Sequence, residues 1–307
     1  MKRVHRSMHS LFLSIRLYTS KNFVTFAVME WYRNIKKQLT DSGIEDGEAS
    51  AIAFMLLEEI GKLGKTDVMM GREPENEAML LAATQRVAEG EPVQYVLGKA
   101  EFCGLSLHVE PGVLIPRAET EELINSISPA LSLYEAQKGM LRIADIGTGS
   151  GCIAIALANR FPNASVSAID ISEQALSIAK KNAESFGAGI SFMRKDILAE
   201  CLEGEYDLVI SNPPYICNCE AEDMEKNVLE HEPHLALFVP DNDPLLFYRR
   251  IAEQGLEALT NGGMLAYEIN RRFGKETVAM LKELGYTDIE LNTDQFGNDR
   301  FVKAIKP

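Results

Sequence analysis

From about residue 140 to the end, the spacing of apolar residues switches repeatedly between the strand period and the helix period. This alternation restricts the fold more than any other feature. Segments 141–146, 165–170, 191–193, 206–211, 263–269, 288–292 and 300–305 are short, apolar and rich in β-branched residues, which predicts strands. Segments 152–159, 173–186, 245–259 and 276–284 carry the helical spacing between them. Strands separated by helices predict an α/β domain with a mainly parallel sheet covered on both faces. The last two strands are joined by a short turn and are expected to run antiparallel.

The chain upstream reads differently. Residues 29–91 are helical throughout, with Trp31, Tyr32, Ile35 and Leu39 at helical spacing. Ala51, Phe54, Met55, Leu56 and Ile60 are read as one apolar face, and Ala78, Met79, Leu80, Leu81 and Val87 as another. This predicts a small N-terminal helical domain, and periodicity fits a plain bundle and a partner-docking module equally. Residues 92–117 shift toward the strand period: Gln94, Tyr95 and Val96 lead to Gly98, then Phe102, Leu105, Leu107 and Val109 run to Pro111-Gly112. They are read as a β-hairpin linker, with the main domain at 118–307. Residues 1–28 carry Lys2, Arg3, Arg6, Arg16 and Lys21 and no acid, and are read as a leader or as translated sequence upstream of the true start.

Composition narrows the partners. The formal net charge is −14, which disfavours a direct nucleic-acid partner, because a duplex backbone repels an acidic surface. No apolar run reaches the length of a membrane span, so no membrane partner is expected. Cys103, Cys152, Cys201, Cys217 and Cys219 are an odd number without framework spacing and read as reduced thiols in a reducing compartment, so a cytoplasmic location is expected; a monomer is expected as well. Cys217-x-Cys219 with His231 and His234 lacks the usual zinc spacing, so no metal is expected.

Between the first strand and helix of the main domain stands Ala144-Asp145-Ile146-Gly147-Thr148-Gly149-Ser150-Gly151. Alternate glycines allow a sharp turn and a close ligand, and the following helix start favours an anionic group. A dinucleotide loop would put glycine at 152, where this chain has Cys. The G-x-G-x-G form with an acid two residues before it suits S-adenosylmethionine (SAM), whose head is smaller than a pyrophosphate. Asp170 ends the second strand and is placed to accept the ribose hydroxyls, as in dinucleotide folds. Asp196 and Ile197 follow the third strand and are assigned to the adenine amino group and ring.

The strand 206–211 stops at Asn212-Pro213-Pro214-Tyr215. Two prolines donate no N–H, so carbonyls are left free at the strand's carboxyl end, where open α/β sheets bind ligands. An amide side chain, free carbonyls and an aromatic face can hold a flat nitrogen group. The Asn212 side-chain oxygen and the Pro213 carbonyl would each accept one N–H, with Tyr215 packed on the plane.

The sequence resembles the PrmC/HemK family, the protein-(glutamine-N5) methyltransferases that modify class-I peptide chain release factors. The resemblance covers about 29–306. It rests on Gly90-Glu91-Pro92-x-x-Tyr95, Glu101-Phe102-x-Gly104-Leu105, Leu114-Ile115-Pro116-Arg117-x-Glu119-Thr120-Glu121, the 145–151 loop and 211–215. It implies a helical N-terminal domain, a hairpin linker and a seven-stranded, Rossmann-like SAM-dependent methyltransferase domain. It also implies transfer of a methyl group to the glutamine of a Gly-Gly-Gln loop in the release factor. Carried over, the SAM contacts are Gly147, Thr148, Gly149, Ser150, Gly151, Asp170, Asp196, Ile197 and Asn212, and the substrate amide sits at Asn212, Pro213, Pro214 and Tyr215, which are also the catalytic set. The glycine loop and Asn-Pro-Pro-Tyr alone also fit DNA adenine-N6 methyltransferases. Two departures stand out: Glu268 is followed by Ile269-Asn270-Arg271-Arg272-Phe273 where a glycine and a glutamine are expected, and 217–230 is an acidic, insert-like stretch.

Overall fold

The computed structural model describes residues 29–307, so the leader reading of 1–28 lies outside the described residues. The chain divides into two compact units, one ending at Leu97 and the other running from Gly98 to Pro307. In the first, helices α1 (Glu30–Asp41), α2 (Asp46–Glu59), α3 (Lys65–Met69), α4 (Glu77–Ala88) and α5 (Val93–Leu97) enclose a core of their own. The α2 stripe is Ala49, Ile52, Ala53, Leu56 and Leu57, the i, i+3, i+4, i+7, i+8 set of a buried helix face. That stripe differs from the predicted one: Ala51 and Met55 point outward. In α4 the buried positions are Leu80, Ala83, Thr84 and Val87, while Met79 and Leu81 are exposed. Residues 93–97 are helical rather than extended. Pro92 has the φ of a helix start, and its carbonyl accepts the N–H groups of Tyr95 and Val96 at 3.0 and 3.1 Å.

The second unit opens with the hairpin β1 (Lys99–Phe102) and β2 (Leu105–His108), paired antiparallel with Phe102 opposite Leu105. Cys103 and Gly104 both have positive φ, 50° and 75°, the two-residue turn whose twist matches the strands. Then follow α6 (Ala118–Lys138), β3 (Arg142–Ile146), α7 (Cys152–Arg160), β4 (Ser165–Asp170), α8 (Glu173–Ser185), β5 (Ile190–Arg194) and β6 (Tyr206–Ser211). A segment of short elements comes next: β7 (Ile216–Cys217), a 3-10 turn (Asn218–Asp223), α9 (Lys226–His231), α10 (His234–Leu237) and β8 (Phe238–Val239). The chain closes with α11 (Leu246–Ala258), β9 (Leu259–Glu268), α12 (Gly274–Leu284), β10 (Thr287–Thr293) and β11 (Asp299–Ile305).

The main sheet has seven strands in the order β10-β11-β9-β6-β3-β4-β5. The five strands β9, β6, β3, β4 and β5 are parallel, and β11 and β10 add an antiparallel edge, as the sequence predicts. Every residue of β6 is buried. Leu208 and Ile210 face one core cluster with α6, α7 and the hairpin, while Val209 faces the other with α11 and α12. One strand thus feeds two cores, which is why it reads as a continuous apolar run. Successive strands step outward from β3 to β5, and β6 returns to the other side of β3. Ligand crevices form at such a reversal, at the strands' carboxyl ends. No helix among the described residues is long and apolar enough to cross a membrane.

Candidate active site

The loop after β3 is built around Asp145, which has no exposed surface. Its Oδ2 accepts the Thr148 hydroxyl at 2.6 Å and the Ala154 N–H at 3.2 Å, while Oδ1 has no partner among the described residues. Burial pushes this carboxyl up to about 7. The N–H groups of Gly147 and Thr148 both donate to the Ile169 carbonyl, at 2.8 and 3.0 Å, which ties the loop to the end of β4. Gly149 has φ +54° and open space where a Cβ would project, so its backbone can lie directly against a ligand. Its N–H donates to Asp170 Oδ2 at 2.9 Å, and Asp170 Oδ1 accepts the Ser172 N–H at 2.9 Å. Burial raises the Asp170 carboxyl, and these two bonds work against the rise. Asp170 is thereby fixed in orientation while each oxygen keeps a further lone pair to offer.

A cavity of about 450 Å³ opens over these groups, a size typical of small-ligand sites. Gly147, Thr148, Gly149 and Ser150 line it from β3, Asp170 from β4, Asp196 and Ile197 from β5, and Asn212, Pro213 and Pro214 from β6. Asp196 Oδ1 accepts the Leu198 N–H at 2.9 Å, so one carboxylate oxygen shapes the turn. Two predicted residues sit elsewhere. Gly151 turns behind the loop at φ +83°, where a Cβ would meet the Ala179 Cβ at 3.1 Å. The partly buried Tyr215 ring packs against the second core cluster and does not line the cavity, and its hydroxyl donates to Glu268 at 3.0 Å. Its aromatic face finds more apolar surface inside than at the rim.

The Asn212 amide is held by a relay. Its Nδ2 donates to Thr120 Oγ1 at 3.1 Å, and Thr120 Oγ1 donates to Glu268 Oε2 at 2.7 Å. Asn212 Oδ1 has no partner among the described residues, and neither the Asn212 nor the Pro213 carbonyl receives a backbone hydrogen bond there. Ser211 Oγ donates to the Ile146 carbonyl at 2.7 Å, pinning the end of β6 to β3. On the far side of the corner, Asn270 Nδ2 donates to the Tyr215 carbonyl at 3.0 Å and to Glu220 Oε2 at 2.9 Å. Ile115 and Arg117, which line the cavity, are clasped by Glu232, which is almost fully buried. It accepts the Ile115 N–H at 3.1 Å and the Arg117 guanidinium at 2.5 Å. Cys152 also lines the cavity, but burial pushes its thiol up to about 12, so it stays protonated and is no nucleophile at neutral pH.

Residues 30–98 match the PrmC N-terminal domain, and residues 130–234 match the Methyltransferase small domain. A release factor glutamine methyltransferase of Flavobacterium psychrophilum is 44% identical over 278 residues, spanning 89% of this chain and 97% of that protein. One from Bacteroides thetaiotaomicron is 44% identical over 267 residues, spanning 84% and 92%. The chain belongs to the release factor glutamine methyltransferases. Among solved structures, the hMettl16 catalytic domain in complex with MAT2A 3′UTR hairpin 6 aligns with a TM-score of 0.51 at 16% identity. It covers 75% of this chain and 81% of that one, a likeness of fold alone.

As a member of this family the protein is a SAM-dependent methyltransferase with the predicted seven-stranded domain. Sequence reasoning did not assign roles to Thr120, Glu268, Glu232 or Glu220. Thr120 and Glu268 were visible only as members of motifs, with nothing to show that they meet. Glu220 and Asn270 lie in the two stretches that depart from the family pattern, and the structure joins those stretches to each other.

Proposed function

We propose that this protein transfers a methyl group from SAM to the side-chain amide nitrogen (N5) of the glutamine in the Gly-Gly-Gln motif of a class-I peptide chain release factor. The carrying observation is the orientation of Asn212. Its NH2 is committed to Thr120, and among the described residues neither its carbonyl oxygen nor the Pro213 carbonyl beside it has a donor. Two acceptors at one corner match the two N–H groups of a primary amide.

The residues present fit SAM. Open space on the Cβ side of Gly147 and Gly149 makes a cradle that any larger residue would fill. Asp170 offers fixed carboxylate oxygens to a ribose, and Asp196 and Ile197 offer an acceptor and an apolar face to a base. An ionised Asp145 beneath the loop favours a cationic ligand above it. When bound, SAM supplies an electrophilic methyl group on a sulfonium. Asn212 Oδ1 and the Pro213 carbonyl hold the amide nitrogen by its hydrogens and orient its lone pair. Their pull strengthens as positive charge grows on that nitrogen, so they favour the transition state over the bound substrate. The two prolines keep the corner from rearranging, which maintains the alignment. The nitrogen's surplus proton leaves to water after transfer, since the corner needs no base to align the amide.

The protein is proposed to act as a cytoplasmic monomer on a protein substrate, without nucleic acid, membrane or metal. Mass spectrometry of the Gly-Gly-Gln peptide after reaction with release factor and SAM tests this. One added methyl on the glutamine is expected. Label transferred to DNA adenine instead would replace the reading with the nucleic-acid one.

A further inference from the structure

Glu268 ends β9 with 1% of its surface exposed, beneath the cavity rather than in it. One oxygen accepts from Thr120 at 2.7 Å and the other from Tyr215 at 3.0 Å. Among the described residues, Thr120 is the one hydrogen-bond partner of the Asn212 amide, at 3.1 Å. A hydroxyl carries one proton, and a carboxylate can only accept. The Thr120 proton therefore points to Glu268, and the Thr120 oxygen can only accept from Asn212. Asn212 must then turn its NH2 toward Thr120 and its carbonyl oxygen toward the cavity.

We propose that Glu268 is a positioning residue. Its negative charge, relayed through Thr120, sets the direction of the Asn212 amide and so makes Asn212 an acceptor of the substrate's N–H. This rests on the amide-methyltransferase reading above. A neutral group at 268 can donate as well as accept, so it frees the relay to run in reverse. It donates to Thr120, Thr120 donates to the Asn212 carbonyl, and Asn212 then meets the substrate N–H with its own NH2, donor against donor.

The groups facing Glu268 are Thr120 and Glu119 from α6, Tyr215 after β6, Tyr248 from α11 and Arg300 from β11. Burial raises the Glu268 carboxyl, with Glu119 adding to the rise, while Thr120, Tyr215 and Arg300 oppose it. Acidification through its titration should therefore cost turnover before it costs SAM binding.

The experiment compares Glu268→Gln, Thr120→Val, Thr120→Ser and Asn212→Ala on full-length protein. It measures kcat and KM for release factor across pH, with SAM affinity by calorimetry. Glu268→Gln is expected to lower kcat about 100-fold and to abolish the acidic limb of the wild-type profile, with SAM affinity within about threefold. Thr120→Val is expected to lose a similar factor and Thr120→Ser to restore it. Should Glu268→Gln not fold, the Thr120 pair decides: Thr120→Val at the wild-type rate overturns the proposal. So does Glu268→Gln with the wild-type rate and acidic limb while Asn212→Ala is inactive. If Asn212→Ala itself runs at the wild-type rate, the amide-clamp reading fails instead.

Discussion

Asp145 gives the most direct energetic check on the cofactor loop. Its ordinary value is 3.8, and burial pushes it up to about 7 in the folded protein. A gap of about three pH units, at about 1.4 kcal/mol each, corresponds to about 4 kcal/mol. The sign follows from which state holds the proton. Between pH 4 and 7 the unfolded chain has released it and the folded chain keeps it, so stability falls as pH rises and levels off above 7. Asp145→Asn removes the titration, while the amide oxygen still accepts from Thr148 and Ala154. The stability of the variant relative to wild type is therefore expected to rise by up to about 4 kcal/mol from pH 4 to pH 8. Urea unfolding of the ligand-free proteins at several pH values reads this difference, since all other titrations are common to both. A difference constant with pH to about 1 kcal/mol refutes the argument.

The same charge has a functional side. An ionised Asp145 with one oxygen unpartnered among the described residues is costly until a cation approaches. The ratio of wild-type to Asp145→Asn affinity for SAM should thus increase from pH 6 to pH 8. An invariant ratio would mean that Asp145 shapes the loop without attracting the ligand.

Three further outcomes are expected. Asn212→Ala removes one of the two acceptors proposed for the amide and should lower kcat about 100-fold, about 3 kcal/mol of barrier, with SAM binding nearly unchanged in calorimetry. Gly151→Ala places a side chain at φ +83° and 3.1 Å from the Ala179 Cβ, and should destabilise by about 2 kcal/mol in thermal unfolding. Arg117→Ala leaves Glu232 buried with only the Ile115 N–H and should cost about 3 kcal/mol, whereas Glu232→Gln should cost about 1 kcal/mol; equal losses in urea unfolding would contradict the clasp.

The legible parts of the site were those whose partners are close in sequence. The glycine loop, the acids at the strand ends and the proline corner each declare themselves within a few residues, because backbone geometry imposes them locally. The relay behind Asn212 joins residues 92 and 148 positions apart, and no periodicity reports such a meeting. Tyr215 shows the same difficulty from the other side. Its ring was expected on the substrate, whereas it packs against the second core cluster with its hydroxyl on Glu268, a residue 53 positions away. In α2 the apolar residues outnumber one stripe, so sequence alone did not choose Ile52 and Leu57 over Ala51 and Met55.

The two departures from the family pattern resolve into one feature. Glu220, in the acidic stretch, accepts the Cys217 N–H at 2.9 Å, the Asn270 Nδ2 at 2.9 Å and the Arg272 guanidinium at 3.2 Å. Burial by itself would raise its carboxyl, but these three contacts hold it below the ordinary range. Asn270 also donates to the Tyr215 carbonyl, accepts the Arg272 N–H at 3.0 Å and donates its own N–H to Tyr248 at 2.9 Å. A glycine at 270 could make none of the side-chain bonds and would leave a carboxylate and a carbonyl short of donors. The acid at 220 and the amide at 270 therefore suit each other. Together they fix the Tyr215 end of the corner, as Glu268 and Thr120 fix the Asn212 end. Pro213 and Pro214 stand between two anchored ends with no N–H to donate and a locked φ, so the acceptors proposed for the substrate amide are held in place in the ligand-free protein.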